Sequence, residues 1–151
     1  MTKSIHQEMI KRALQLAWEA YNQEEVPVGA LIVLKDKIIV RAYNEKEKLK
    51  DPTSHAEILA IREACRYLQS WHLDGATLYV TLEPCPMCAY ASIQARLKRV
   101  VFGAYDPKAG AAGSVVNLFE KNLFNHNVEL IGGILEKECA IVLKEFFKNR
   151  R

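Results

Sequence analysis

Glycine, proline and cysteine are all scarce in this 151-residue chain, with 7, 5 and 4 copies. So little glycine and proline excludes a collagen-like or low-complexity protein, and so few cysteines exclude a disulfide scaffold. Long apolar runs are missing as well. No stretch approaches the roughly 18 residues that a membrane span needs, and residues 3–12 are too polar for the apolar region of a signal peptide. The expectation is a cytoplasmic protein with no membrane partner. Charge of one sign is also lacking, since 21 basic and 18 acidic residues leave a net charge of +3. That mild excess permits a polyanionic partner without requiring one. Basic clusters occur at Arg96, Lys98 and Arg99, and at Lys144, Lys148, Arg150 and Arg151. Each is ordinarily a solvated face or a charged tail.

What is present is a chain of domain size in which 50% of residues are hydrophobic. A chain of ~150 residues buries roughly 68–70% of its unfolded surface, so one core forms without staples. No linker or internal repeat divides it, and residues 1–151 read as a single domain.

Hydrophobic periodicity outlines the elements. Ser4 and Gln7 have capping-box spacing ahead of a helical run carrying Met9, Ala13, Leu16, Ala17, Ala20 and Tyr21. Residues 28–34 and 38–43 are apolar runs separated by Lys35-Asp36-Lys37, which predicts a hairpin. Residues 44–53 read as loop, and Ser54 to about Leu68 as a helix with Ile58, Ile61, Ala64, Cys65 and Leu68 on one face. A strand is expected over 76–82, then a helix opened by Pro86 and running to about Arg96, because proline costs nothing in a first turn. Residues 100–105 form a further strand, 106–114 a loop, 128–131 a weaker strand, and about 135–148 the closing helix. Helices alternating with buried strands imply a layered α/β sheet.

Three features point to chemistry. Cys85-Pro86-Met87-Cys88 places two thiols at positions i and i+3 of a helix start, on one face. The positive end of the helix favours the thiolate, which is the metal-binding form. His55 lies upstream at another helix start, followed by Glu57. One imidazole and two thiolates would leave tetrahedral Zn²⁺ an open position, the catalytic arrangement rather than the structural one. Mixed imidazole and thiolate ligation favours zinc. Each feature also has a plainer reading. Cys-x-x-Cys suits a redox dithiol, Ser54 and Glu57 have capping-box spacing, and a lone histidine is usually a surface or packing residue. Cys65 and Cys139 read as small buried hydrophobes, and His6, His72 and His126 lack metal-ligand company.

The order His-x-Glu followed by Pro-Cys-x-x-Cys, here His55 to Glu57 and Pro84 to Cys88, matches the known signature of zinc nucleobase deaminases, of which bacterial tRNA adenosine deaminases are a recorded example. Replacing a ring amino group by oxygen needs a strong nucleophile, and zinc lowers the pKa of bound water to near ~7. Glu57, two residues past the histidine, is the candidate proton shuttle.

Beyond that signature the chain resembles the bacterial tRNA-specific adenosine deaminases over most of its length. The likeness runs through Glu25-Val26-Pro27-Val28-Gly29-Ala30, Asp51 to Glu57, Thr81 to Ala89, Arg96 and Gly103 to Ser114. The stretch Asp106-Pro107-Lys108-Ala109-Gly110-Ala111-Ala112-Gly113-Ser114 is the part that favours tRNA editors over small-molecule relatives. The resemblance implies a three-layer α/β/α sandwich with a five-stranded mixed sheet, working as a homodimer. It implies conversion of adenosine to inosine at the wobble position of a tRNA anticodon loop. By the match, His55, Cys85 and Cys88 would bind one zinc per subunit and Glu57 would move protons. Asn44 would hydrogen-bond the flipped base, the Ala56 N–H would face its edge, and Val28 would form an apolar wall. Asp106, Lys108, Asn125 and His126 match positions near the RNA. Two departures are Tyr90, where a small residue is usual, and Ser54, where alanine is common. A deaminase of a free base or nucleoside and a non-catalytic zinc-bearing RNA-binding module are the competing readings.

Overall fold

The computed structural model describes residues 3–150. Among these, the chain runs α1 (Lys3–Asn22), β1 (Gly29–Leu34), β2 (Lys37–Tyr43), α2 (Lys46–Leu49), α3 (Ala56–Leu68), β3 (Thr77–Leu82), α4 (Pro86–Gln94), β4 (Arg99–Ala104), β5 (Glu129–Ile131) and α5 (Glu136–Lys148). The strands form one five-stranded sheet in the order β2-β1-β3-β4-β5. β1 is antiparallel to both β2 and β3, whereas β3, β4 and β5 are parallel. The sheet is therefore mixed, as the resemblance implies.

Period-two alternation sorts the strand residues into two apolar layers. Ala30, Ile32, Leu78, Val80, Val100 and Phe102 face the layer that holds Ala60 and Ile61 of α3 and Ala89 and Ile93 of α4. Leu31, Val33, Tyr79 and Val101 face the layer of Ile10 and Ala13 from α1 and Cys139 from α5. Strands buried on both faces need helices on both, which gives the α/β/α sandwich. Gly29 is required where β1 passes under α1, because a Cβ there would run into the Ala13 carbonyl.

The turn from β1 to β2 uses Lys35 and Asp36 with φ of 51 and 65°. Two left-handed residues match the right-handed twist of the flanking strands. The differences from expectation are local. α1 already includes Ser4, so the capping box expected to precede it does not form there. The polar stretch 44–53 contains α2, only four residues long. α3 starts at Ala56 with His55 in the capping position and no side-chain cap, which removes the alternative reading of Ser54 and Glu57 as a capping box. α4 ends at Gln94, because Arg96 adopts a left-handed φ of 58°.

Candidate active site

Two helix starts build the site. His55 is the extended residue immediately before α3, and Cys85 is its counterpart before α4. Pro86 occupies the first turn of α4, where its missing N–H has no intrahelical acceptor to lose. Cys88 follows one turn later and is fully buried. His55 Nδ1 lies 3.6 Å from Cys85 Sγ and 3.4 Å from Cys88 Sγ. Tetrahedral zinc, with bonds of about 2.0–2.1 Å to nitrogen and 2.3 Å to sulfur, holds its N and S ligands about 3.5 Å apart. The donor set and its spacing fit that ion. Among the described residues the cluster has these three members and no fourth protein ligand.

The thiols share charge unequally. Cys85 is drawn down to about 4, first by the hydrogen bond from Cys88 and then by that from His55. Cys88, donating that bond and buried, is pushed far up. His55 is raised, chiefly by its hydrogen bond to Cys85. A cation that binds between them takes the place of the shared proton.

Glu57 lies in the first turn of α3 and is 4% exposed. Burial pushes its carboxyl up to about 7, against the pull of His55. It faces a cavity of about 130 Å³ walled by apolar Val26, Val28 and Leu82 and reached by His55, Cys85 and Asn44. Val28 is thus both wall and core. Asn44 donates from Nδ2 to the Val26 carbonyl at 3.2 Å, while its Oδ1 is buried without a partner. That orphan acceptor is available to an N–H of a ligand. Ala56 also lines the cavity, and as the first residue of α3 its N–H has no acceptor within the helix.

The remaining expected residues are more dispersed. Asp106 borders the cavity, and its Oδ1 accepts the N–H groups of Lys108 at 3.0 Å and Ala109 at 3.2 Å, so it also nucleates a turn. Lys108 is exposed and borders a separate groove with Lys144, Phe147 and Lys148. Asn125 and His126 line a third depression beside Trp71 and Tyr90, with His126 Nε2 bonded to the Leu97 carbonyl at 2.8 Å. The fold does not bring Lys108, Asn125 or His126 into the cavity beside the His55, Cys85 and Cys88 cluster. Tyr90 packs edge-on against Phe124 at 5.1 Å, clear of the cluster. Cys139 is buried and Cys65 half-buried, as expected for packing residues.

Sequence reasoning missed three residues here. Lys46 borders the cavity from α2. Glu25, 2% exposed, accepts the N–H groups of Glu47 at 3.0 Å and Lys48 at 2.8 Å and so holds α2 in place. Glu83, equally buried, closes β3. Acidic residues abutting the apolar runs Val26–Leu34 and Thr77–Leu82 were the available signal.

A nitrogen and two sulfurs spaced to hold one ion, with a buried carboxyl in the adjoining helix turn, match the arrangement of the zinc nucleobase deaminases. The profile of the MafB19-like deaminase family matches residues 4–151. The tRNA-specific adenosine deaminase of Bacillus subtilis (strain 168) is 49% identical over 142 residues, covering 94% of this chain and 88% of that protein. The tRNA-specific adenosine deaminase of Aquifex aeolicus (strain VF5) is likewise 49% identical over 142 residues, covering 94% and 93%. A solved structure from a study of A-to-I editing by tRNA:A34 deaminases is 44% identical with a TM-score of 0.87, covering 90% of this chain and 99% of its own. The chain belongs to the family of the tRNA-specific adenosine deaminases.

Proposed function

We propose that this chain hydrolyses adenosine to inosine at the wobble position of a tRNA, releasing ammonia, with zinc held by His55, Cys85 and Cys88. The carrying observation is the buried Glu57 carboxyl, which shares one cavity with a cluster of three donors that has no fourth protein ligand among the described residues. When bound, zinc supplies the acidity that makes water a nucleophile near neutral pH.

The protein's own groups account for the proton traffic. Glu57 takes a proton from the attacking water and gives it to the ring nitrogen beside the carbon under attack. It then passes the hydroxyl proton to the departing amino group, so adenosine and water become inosine and ammonia. A carboxyl poised near 7 serves as base and then as acid at physiological pH. The free Asn44 Oδ1 accepts from the base and the Ala56 N–H meets its edge, while Val28 gives an apolar face. These groups can reach only a base outside its stack, and unstacking costs least for an unpaired loop nucleotide. An anticodon loop supplies one.

Asp106, Lys108, Asn125 and His126 are proposed to contact flanking RNA, on the strength of the family match. The proposed setting is cytoplasmic, as a homodimer of single-domain subunits comprising residues 1–151; no helix among the described residues is long and apolar enough to cross a membrane. Incubating metal-loaded protein with a tRNA bearing wobble adenosine, and separately with free guanine, cytosine and nucleosides, tests the reading. Inosine in the tRNA supports it. Product from a free base alone, or from nothing, overturns it.

A further inference from the structure

One buried carboxylate at the cavity takes no part in the proton transfers. Glu83 follows β3 and precedes Pro84 and the metal-ligand candidate Cys85. It is 2% exposed. An ion so buried must be met by donors, and four meet it. Its Oε1 accepts the Asp106 N–H at 2.9 Å and the Ser114 hydroxyl. Its Oε2 accepts the N–H groups of Ala112 at 2.9 Å and Ser114 at 3.1 Å.

A carboxylate offers about four lone-pair positions, so none is left for a ligand although the residue borders the cavity. All four donors belong to the segment 106–114. The neighbouring Pro84 carbonyl accepts the Ala111 N–H at 2.8 Å, which adds a backbone tie to the same segment. Gly110 crosses the carboxylate so closely that a Cβ would collide with it. Asp106 and Ala109 of this segment border the cavity that Glu57 and Cys85 also line.

We propose that Glu83 is a positioning residue that fixes the 106–114 segment against the end of β3, setting the spacing between that cavity wall and the metal cluster. It touches neither substrate nor metal and acts through the segment it holds. The ordering of the segment is independent of the substrate, whereas its effect on RNA rests on the proposed deaminase activity.

Glu83→Gln keeps the shape but leaves one oxygen. Whichever way the amide is turned, its NH₂ faces one pair of donors, and that pair loses its acceptor. The test measures metal content, amide hydrogen exchange and steady-state kinetics on a tRNA with wobble adenosine. Metal content is expected to stay at the wild-type level. Exchange at Asp106, or at Ala112 and Ser114, is expected to quicken roughly tenfold, with KM for the tRNA rising by a similar factor and kcat within about threefold of wild type. Ser114→Ala, which removes the hydroxyl donor alone, should quicken exchange at the same segment less, and it decides the matter if Glu83→Gln fails to fold. Unchanged exchange in the folded variants overturns the proposal. So does lost metal, or a fall in kcat with KM unchanged, since either would tie Glu83 to the chemistry itself. A wild-type protein inactive on tRNA defeats the deaminase reading, while exchange and metal content still decide the role of Glu83.

Discussion

Glu57 and Glu83 border the same cavity and are almost equally buried, at 4% and 2% exposure, yet their carboxyls behave oppositely. For Glu57 burial dominates, and the group is pushed up to about 7. Glu83 is also penalised by burial, but hydrogen bonds from Ser114, Asp106 and Ala112 outweigh it and hold the carboxyl below its ordinary value. Both carboxyls are cut off from solvent, but Glu57 lies deeper in the protein and Glu83 meets more donors, and the two differences together set the groups apart. A carboxyl near neutrality suits the proton exchange proposed for Glu57, whereas the donors of the 106–114 segment hold Glu83 as an anion.

The sharpest way to break the comparison is to remove what makes the Glu57 side chemical. Cys88→Ser should abolish metal binding and bring deamination down to background, with the segment 106–114 still ordered; metal analysis and an inosine assay check it. A smaller effect is expected on the other side. Gly110→Ala places a Cβ against the Glu83 carboxylate and should raise KM for the tRNA roughly tenfold through the displaced segment, with kcat within about threefold of wild type and metal retained. Equal metal content in mutant and wild type, read beside KM and kcat, tests that separation.

The smallest effect belongs to the far face of the sheet, where His6 Nδ1 meets the Tyr79 hydroxyl at 2.8 Å. Burial, and next the Arg99 charge, lower the His6 pKa in the fold. Protons therefore bind the unfolded chain more readily than the folded one. His6 contributes stability fully above about 6.5, and this is lost as pH falls from there through its lower folded value. Melting temperatures from pH 7.5 to 5 should fall more steeply for wild type than for His6→Gln, with no difference in metal content.

How far the sequence revealed this site depends on the distance over which each contact acts. The candidate metal donors were legible because Cys85 and Cys88 sit one helical turn apart and His55 and Glu57 stand two residues apart, so local spacing marks the proposed chemistry. Most strands were legible because residues such as Ala30 to Val33 are buried on both faces and form continuous apolar runs. α2 was not, since four residues are too few to show a helical period. The Ser54 and Glu57 spacing left a cap open as the plainer reading beside a catalytic Glu57, but His55 takes the capping position and Glu57 turns into the cavity. The roles of Glu25 and Glu83 were not legible because, apart from the Ser114 hydroxyl, their partners are backbone N–H groups more than twenty residues away, and a main-chain donor leaves no mark on residue identity.

The account stands most directly on Glu57 as a proton carrier beside an independently held metal. Determining metal content and inosine yield on one preparation of Glu57→Gln tests it. Metal at the wild-type level with turnover lowered by roughly 10²–10⁴-fold is the predicted result. Turnover preserved with metal in place, or metal lost together with turnover, would contradict it.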